Sequence, residues 1–429
     1  MKKIGFYIEN SRFTNIDCGD VVSGNPGIGG TEFLFILVSS QLAIRNNDIE
    51  VIAYVESDSC NLPHGLRTEI VLDQIDAIRK ADKEELDYLV LNNAHTEWKN
   101  INYSDLKSDI KFIAWCHNFC PIKKLDYLAT NARIYKIINV GREQMDLYRD
   151  HPSFGKMEYI YNCVPFNLNY CKKARENKYE NRAHIVTYMA SLVSGKSFHV
   201  LAKIWTKILK EVPDAQLYII GSGSVYNSRA KLGKYGIASE DYEKIFMPYL
   251  TDKQGNILPS VHFMGKLGEE KNELLLNTKV GVPNPLGTTE TFCLSAVEMQ
   301  AMGCYVVGMK VPGYLDTFLH GRVVNSKNQL YKAIVTALLA TSEKRKYDDY
   351  MADAIGQFSI DTVINDWEHL ICNVSRVHPI LPLRNKYYRL KVVKEYIRIH
   401  PILRYCYMPF SCLERVLIYF DHITRKYYL

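Results

Sequence analysis

Short apolar runs alternate with longer amphipathic segments along most of the chain. The runs are rich in Val, Ile, Leu and Tyr and are bounded by polar turns, a pattern typical of buried strands. They lie at 3–8, 50–55, 88–91, 112–115, 136–140 and 159–161 in the first half, and at 185–189, 216–220, 261–264, 279–282 and 305–307 in the second. Strands that alternate with helices predict parallel sheets built from β-α-β units. The two sets of strands therefore predict two Rossmann-like domains.

The division between the two sets lies between 162 and 181, where a polar stretch leads into the charged segment 172–182. A chain of 429 residues is too long for one simple core and suits two domains of about 180 residues each. We expect residues 1–165 to form the first domain, 180–372 the second, and 373–429 a separate helical tail.

Composition narrows the class of protein. Hydrophobic residues make up 47% of the chain and charged residues 23%, which is typical of a globular protein. The eleven cysteines form no Cys-x-x-Cys pair, so we expect buried thiols in a reducing compartment. The first nine residues predict a strand rather than a signal peptide, and no apolar run approaches the roughly 18 residues of a membrane span. These features favour a cytoplasmic protein.

The most informative stretch is 284–308. A polar turn follows the strand at 279–282, an apolar helix is predicted from about Thr291 to Met302, and Gly303 ends it. Glu290 and Glu298 stand eight residues apart; on a helix that separation is about 12 Å, comparable to the distance from a sugar ring across a diphosphate to a ribose. The first amides of the helix lie between the two carboxylates and would offer a diphosphate donors and a favourable dipole.

These residues resemble the E-x7-E signature of the large retaining glycosyltransferase family with the GT-B fold (glycosyltransferase family 4, or group 1 type). The family pattern reads Glu-Gly-Phe-Gly, four variable residues, Glu-Ala, then Gly-x-Pro-Val-Val. Here Glu290-Thr-Phe-Cys is followed by Glu298-Met and by Gly303-Cys-Tyr-Val-Val. Both acids are kept, whereas Thr291 and Cys293 replace glycines. The resemblance implies a GT-B fold, with two Rossmann-like domains facing across a cleft.

A second stretch, 185–205, resembles the first unit of the family's donor domain. Lys196 falls on the lysine that holds the donor diphosphate in the family, where a cation balances the charge of the leaving group. Ser191 stands where the family usually has a partner arginine, and its hydroxyl can donate only a neutral hydrogen bond.

In the first half, a glycine-rich loop at 24–32 opens an apolar helix predicted from Phe33 to Ile44, an arrangement that suits close approach to phosphate or sugar. It lacks dinucleotide-fingerprint spacing. The resemblance places Gly29 and Gly30 toward the acceptor and the donor phosphates. His117 ends the strand at 112–115, where strand-end side chains line the cleft of a parallel sheet. Its family counterpart contacts the donor sugar. Arg142 is a further candidate phosphate contact.

The resemblance implies a role for each residue of the site. Glu290 would bind hydroxyls of the transferred sugar, Glu298 the ribose, and backbone groups at 263–267 the base. The catalytic candidates are Glu290, His117 and Lys196. The donor-binding candidates are Ser191, Lys196, Gly265, Lys266, Thr291, Phe292, Cys293, Leu294 and Glu298. The resemblance also implies front-face transfer, in which the leaving phosphate takes the acceptor proton.

Several patterns are missing from the sequence. It contains no Asp-x-Asp pair, no zinc-ligand spacing and no phosphate loop of the Gly-x-x-x-x-Gly-Lys-Ser/Thr type. We therefore expect a metal-independent enzyme without a cofactor, and the resemblance implies that its donor is a nucleotide-sugar.

The tail has a distinct composition. From Leu383 onward it holds ten basic residues against three acids, with ten aromatics interleaved. Leu390, Val393 and Ile397 form one helical stripe, and Lys391, Lys394 and Arg398 form the next. Such a helix either lies on an anionic membrane, which would place the protein at the inner face of the cytoplasmic membrane, or packs on the body of the protein. No nucleic-acid module accompanies the charge.

We expect a hexosyltransferase-type enzyme that moves a sugar to a hydroxyl of a saccharide or lipid-linked saccharide in bacterial surface polysaccharide synthesis. Two alternatives remain open. A non-hydrolysing sugar-nucleotide epimerase would need acid–base carboxylates in the first domain, where no obvious pair is present. A GT-B sugar-binding protein with little catalytic activity is favoured by Ser191 in place of arginine.

Overall fold

The computed structural model describes residues 1–13, 16–45, 48–224, 231–288, 290–341, 347–372, 382–384, 389–409, 412–413, 415–417 and 419–420. The first half forms a parallel sheet whose strands are β1 Lys2–Ile8, β2 Ile49–Val55, β3 Arg67–Ile70, β4 Tyr88–Asn92, β5 Lys111–Cys116, β6 Ile134–Asn139 and β7 Met157–Tyr159. The strand order is β3-β2-β1-β4-β5-β6-β7. The helices of this half are α1 Gly30–Arg45, α2 Gln74–Lys83, α3 Ile122–Thr130 and α4 Arg142–Met145.

The second half forms another parallel sheet, of strands β8 Ile185–Met189, β9 Gln216–Ile220, β10 Val261–Gly265, β11 Val280–Gly281, β12 Tyr305–Met309 and β13 Gly321–Val324. Its order is β10-β9-β8-β11-β12-β13. The remaining helices are α5 Leu168–Glu176, α6 Phe198–Glu211, α7 Glu240–Phe246, α8 Lys271–Asn277, α9 Leu294–Ala301, α10 Pro312–Thr317, α11 Lys327–Leu339, α12 Tyr347–Phe358, α13 Ile360–Ile371 and α14 Arg389–Ile399. The two predicted α/β domains are therefore present.

The predicted strands agree with the observed ones to within about two residues at each end, but β3 and β13 were not predicted. The side chains of β3 are largely exposed at the edge of the sheet, where Arg67 forms ion pairs with Glu50 and Glu69. Polar edge strands lack the apolar pattern that identifies buried strands, because one side of the strand meets solvent.

Helix α13 crosses from the second domain to pack on the first. Trp367 lies in the core of the first domain, with its ring centroid 4.8 Å from that of Trp115 and 5.8 Å from that of Phe6. Arg45 at the end of α1 donates to the Asp361 carboxylate at 3.0 Å. The sequence analysis assigned this segment to the second domain from its place in the chain. Its apolar face instead completes the core of the first domain, so the chain connects the domains at two places.

The tail helix α14 also packs on the first domain. Lys391 and Lys394 are fully buried. Lys394 Nζ donates to Asp150 Oδ1 at 2.7 Å, and Lys391 forms ion pairs with Asp146 and Glu143. Two of the three basic residues expected on a membrane-facing stripe are thus directed inward, which corrects that expectation. Burial is tolerated because each ammonium has a carboxylate partner.

Helix α14 corresponds to the alternative in which the helix packs on the body of the protein. Leu390 and Ile397 contribute to a small apolar cluster with Leu147 and Leu413. None of the described helices combines the length and the hydropathy that a bilayer span requires. Some tail residues counted above lie outside the described residues, including Lys386, Tyr387, Tyr388, Phe410, Glu414, Asp421, Arg425, Lys426, Tyr427 and Tyr428.

We predict that Lys394→Ala releases α14 from the first domain. The substitution leaves the Asp150 carboxylate buried without its partner, which costs about 3–5 kcal/mol. Hydrogen exchange of the amides in 389–399 should then be faster than in the native chain. Val392→Ala, at an exposed position of the same helix, serves as the control. Unchanged protection in Lys394→Ala would show that this ion pair does not hold the tail.

Candidate active site

A cleft of about 520 Å³ lies between the two domains. The first domain contributes residues from its glycine-rich loop, from α1 and from strand ends, namely Arg12, Gly30, Glu32, Asn92, His117 and Asn162. The second domain contributes Ser191, Lys196, Lys266, Lys271, Glu290 and Glu298, together with 291–294 at the start of α9. The structure thus brings together most of the residues that the sequence analysis selected from both halves.

Gly29, Gly265 and Arg142 are not among the described residues that line this cleft. The Gly29 carbonyl accepts from Phe33 N at 3.0 Å at the start of α1, and the Gly265 carbonyl accepts from Gly221 N at 2.7 Å. Arg142 Nη2 donates to the Pro382 carbonyl of the tail at 2.5 Å, so the side chain is directed toward the tail rather than into the cleft, and its role as a phosphate contact stays a prediction. A strand-end position alone does not determine where a long side chain points.

Glu290 is buried and held by two donors. Its Oε1 accepts from Lys196 Nζ at 2.6 Å and from Asn284 Nδ2 at 2.9 Å. Asn284 is fully buried and also accepts from Gly287 N at 3.1 Å through its side-chain oxygen, which shapes the turn before Glu290. The sequence analysis gave Asn284 no role, although an asparagine in a glycine-containing turn is a signal for such a contact.

The second carboxylate of the pair also has a lysine partner. Lys271 Nζ lies 2.8 Å from Glu298 Oε2, and the two side chains are only 14% and 19% exposed. Lys271 is the first residue of α8 and lies 27 positions before Glu298. The sequence analysis missed it, because no motif or helical spacing links a residue of α8 to one of α9.

Helix α9 begins at Leu294 rather than at the predicted Thr291, because Cys293 has a left-handed backbone with φ of 85°. An L-residue with positive φ is strained, so glycine is the usual occupant of such positions. Cys293 thus keeps the backbone bend that a glycine would adopt without strain. It is buried, and burial raises the pKa of its thiol to about 12.

Thr291 joins the domains across the cleft. Its Oγ1 donates to the carbonyl of His117 at 2.6 Å. The glycine of the family pattern could not make this contact, because glycine has no side chain. The hydrogen bond fixes the start of α9 relative to the end of β5.

His117 packs its ring against aromatic residues, with centroids 4.5 Å from Trp115 and 6.0 Å from Phe35. Burial lowers the pKa of the His117 imidazole to about 3, so the ring is neutral at physiological pH. Its Nε2 has no hydrogen-bond partner among the described residues, and neither do Asn162 Oδ1 and Ser191 Oγ. All three residues line the cleft. Buried polar atoms without protein partners indicate positions that a polar ligand can satisfy.

The cleft carries four cationic and three carboxylate side chains among its described lining residues. Arg12 pairs with Glu32, Lys196 with Glu290, and Lys271 with Glu298. The fourth cation, Lys266, is exposed and donates to the Ser224 carbonyl at 3.3 Å. No group of three His, Cys, Asp or Glu side chains with metal-binding geometry occurs in the described part of the chain.

The second domain is similar to a known protein family. Residues 183–340, which span most of the second domain, match the family model of group 1 glycosyl transferases. A comparison with curated protein sequences gave no significant match.

Several solved structures share the architecture. The crystal structure of HepE from Anabaena in complex with UDP and glucose has a TM-score of 0.62 at 15% identity, over 87% of this chain and 100% of that one. A glycosyltransferase from Rickettsia africae has a TM-score of 0.61 at 13% identity, over 88% and 99% of the two chains. The lipopolysaccharide outer core galactosyltransferase WaaB has a TM-score of 0.56 at 11% identity, over 87% and 100%.

The predicted GT-B fold is therefore confirmed, with two parallel α/β domains facing across a cleft and helical segments after the second. The family match over 183–340 and these structural neighbours together support a glycosyltransferase.

Proposed function

We propose that this protein is a retaining, hexosyltransferase-type enzyme that moves a sugar from a nucleotide-sugar to a hydroxyl of a saccharide or lipid-linked saccharide in bacterial surface polysaccharide synthesis. The observation that carries the proposal is the arrangement of Glu290 and Glu298, each paired with a lysine, on either side of the start of α9 in the cleft. The structurally similar HepE binds UDP and glucose, which supports the proposed donor. The structurally similar WaaB is a lipopolysaccharide outer core galactosyltransferase, which supports the proposed pathway.

The leaving nucleoside diphosphate gains negative charge as the bond to the sugar breaks. Lys196 and the first amides of α9 lie together in the cleft and would balance that charge. When a donor is bound, sugar hydroxyls can replace Lys196 as donors to Glu290, which leaves the ammonium free to contact the phosphate. The lysines would supply the charge that a metal ion carries in other sugar transferases, so we propose that no metal is required.

Retention follows from front-face transfer. The bond between the anomeric carbon and the phosphate oxygen breaks, and the acceptor oxygen bonds to the same face of that carbon. The leaving phosphate oxygen takes the acceptor proton, so no protein base is needed. One observation supports this step: burial lowers the pKa of the His117 imidazole to about 3, so this ring is a weak base and would act through a hydrogen bond to the sugar.

Incubation with a panel of nucleotide-sugars in EDTA tests the proposed function. We expect slow release of free nucleoside diphosphate from one donor, because water can replace the acceptor. Conversion of the donor to another nucleotide-sugar would show an epimerase instead. Donor binding without turnover, even with saccharide acceptors, would show a binding protein. Activity that appears only after manganese or magnesium is added would contradict the metal-free mechanism.

We predict that Lys196→Ala lowers kcat about 30- to 1,000-fold, because a charge-assisted contact that strengthens in the transition state contributes about 2–4 kcal/mol. Donor affinity should fall much less. Lys207→Ala, which removes an exposed lysine of α6, is the matched control. Native turnover in Lys196→Ala would exclude Lys196 from the mechanism.

We also propose that the tail associates with an anionic membrane, through a surface different from the basic stripe. Tyr396 and Ile399 on α14, and Ile402 and Tyr405 in the turn after it, are exposed beside the exposed Arg404. Exposed aromatic and aliphatic side chains next to a cation suit the boundary between lipid headgroups and acyl chains.

Vesicle flotation tests this association. We predict recovery with anionic vesicles that falls as salt rises, because each basic residue near the surface contributes about 1 kcal/mol that salt screens. The double variant Ile399→Ser and Ile402→Ser should reduce it, whereas Lys207→Ala should not. Equal recovery on neutral and anionic vesicles, or none on either, would contradict the proposal.

A further inference from the structure

The diphosphate side of the cleft has a deficit of positive charge. Ser191 stands where the resemblance led us to expect an arginine, and its buried Oγ is neutral and has no partner among the described residues. A nucleoside diphosphate carries several negative charges, and removing them from water is costly unless cations replace the lost solvation. Lys196 alone would have to meet this need together with the helix amides.

Three other cations line the cleft, and their surroundings distinguish them. The Arg12 side chain is 47% exposed and belongs to the first domain, where it pairs with Glu32. Lys266 is exposed and bonded to the Ser224 carbonyl. Lys271 differs from both, because its side chain is only 14% exposed and its partner is Glu298, the carboxylate assigned to the ribose. It is therefore the cation most closely tied to the donor side.

The position of Lys271 allows its ammonium to reach a diphosphate at the start of α9. Glu298 lies four residues after Leu294, about 6 Å along the helix at 1.5 Å per residue. Lys271 Nζ is 2.8 Å from Glu298 Oε2. The flexible four-carbon stem of a lysine allows its ammonium to cover that distance without movement of the backbone.

We propose that Lys271 is the second diphosphate-binding cation of this protein. It supplies the positive charge that is missing because Ser191 stands in place of an arginine. The inference rests on the proposed function, because it assumes a nucleoside diphosphate in the cleft. In the empty site Lys271 pairs with Glu298. When the donor binds, its ribose hydroxyls donate to Glu298, and the released Lys271 ammonium contacts the phosphate.

This exchange parallels the one proposed for Lys196 and Glu290. Each carboxylate keeps its lysine in the cleft while the site is empty, and each lysine is released by a hydroxyl of the same ligand that supplies the phosphate. No carboxylate is left without a partner in either state, so the exchange avoids the cost of an uncompensated buried charge.

Binding measured by calorimetry tests the proposal without any need for turnover. The probe is whichever of UDP, GDP, ADP or TDP binds the native protein most tightly, compared with the corresponding nucleoside. We expect Lys271→Gln to weaken diphosphate binding about 10- to 100-fold, the effect of losing one hydrogen bond to a charged group, and to leave nucleoside binding nearly unchanged. Lys207→Gln, at an exposed position of α6, is the matched control.

A second substitution makes the test specific to charge. Ser191→Arg in the Lys271→Gln background should restore most of the lost diphosphate affinity, because it returns a cation to the vacant position. Lys271→Arg should keep the diphosphate affinity, because it keeps the charge, and Lys271→Met serves as the neutral variant if Lys271→Gln does not fold. Loss in Lys271→Arg equal to that of a neutral substitution would contradict a role for charge.

Two outcomes would overturn the inference while leaving the proposed function standing. Equal weakening of diphosphate and nucleoside would show that Lys271 acts on the base or the ribose. Unchanged diphosphate affinity in Lys271→Gln would show that it makes no contact. Failure of the native protein to bind any of the four nucleotides would instead overturn the proposed function itself.

Discussion

The buried carboxylate of Glu290 is the group on which the rest of the cleft depends. It accepts from Lys196 in the turn before α6 and from Asn284 in the turn after β11, so one side chain fixes the ends of two neighbouring units of the second sheet. A buried carboxylate needs such donors, because leaving it unpaired would cost several kcal/mol. The lysine that the proposed mechanism needs is therefore already held at the site before a ligand arrives.

The two domains are joined by more than the chain connection. Thr291 donates across the cleft to the His117 carbonyl at 2.6 Å. Farther from the cleft, the buried Asp316 of α10 accepts from Tyr161 Oη at 3.0 Å and from Glu143 N at 2.8 Å, both in the first domain. Together with the packing of α13 on the first domain, these contacts fix the separation of the two domains. That separation sets the distance between a donor and an acceptor bound in the cleft.

The amino-acid composition of the tail is compatible both with a helix that lies on a membrane and with a helix that packs on the body of the protein. The number of basic residues in the tail suggests a charged surface. In the structure, however, Lys391 and Lys394 form ion pairs with acids of the first domain. Burying them leaves the side chains of Tyr396 and Ile399 on the outside. The outer face of α14 is accordingly more apolar than its sequence suggests. The proposed membrane association therefore depends on these exposed aromatic and aliphatic side chains rather than on the basic stripe.

Local sequence was sufficient to predict the strands of the two sheets except the edge strands β3 and β13, because a buried parallel strand is an apolar run whichever strands lie beside it. The spacing of Glu290 and Glu298 within one β-α unit was also sufficient to select these two acids, whereas Lys196 was selected by the resemblance of 185–205 to the donor domain of the family. Local sequence did not identify Lys271, Asn162 or the carboxylate partners of Lys394 and Lys391. Those partners lie more than 240 positions from the lysines. Only the tertiary structure brings such residues together, because the free energy of an ion pair depends on distance and burial, and neither is encoded in the local pattern.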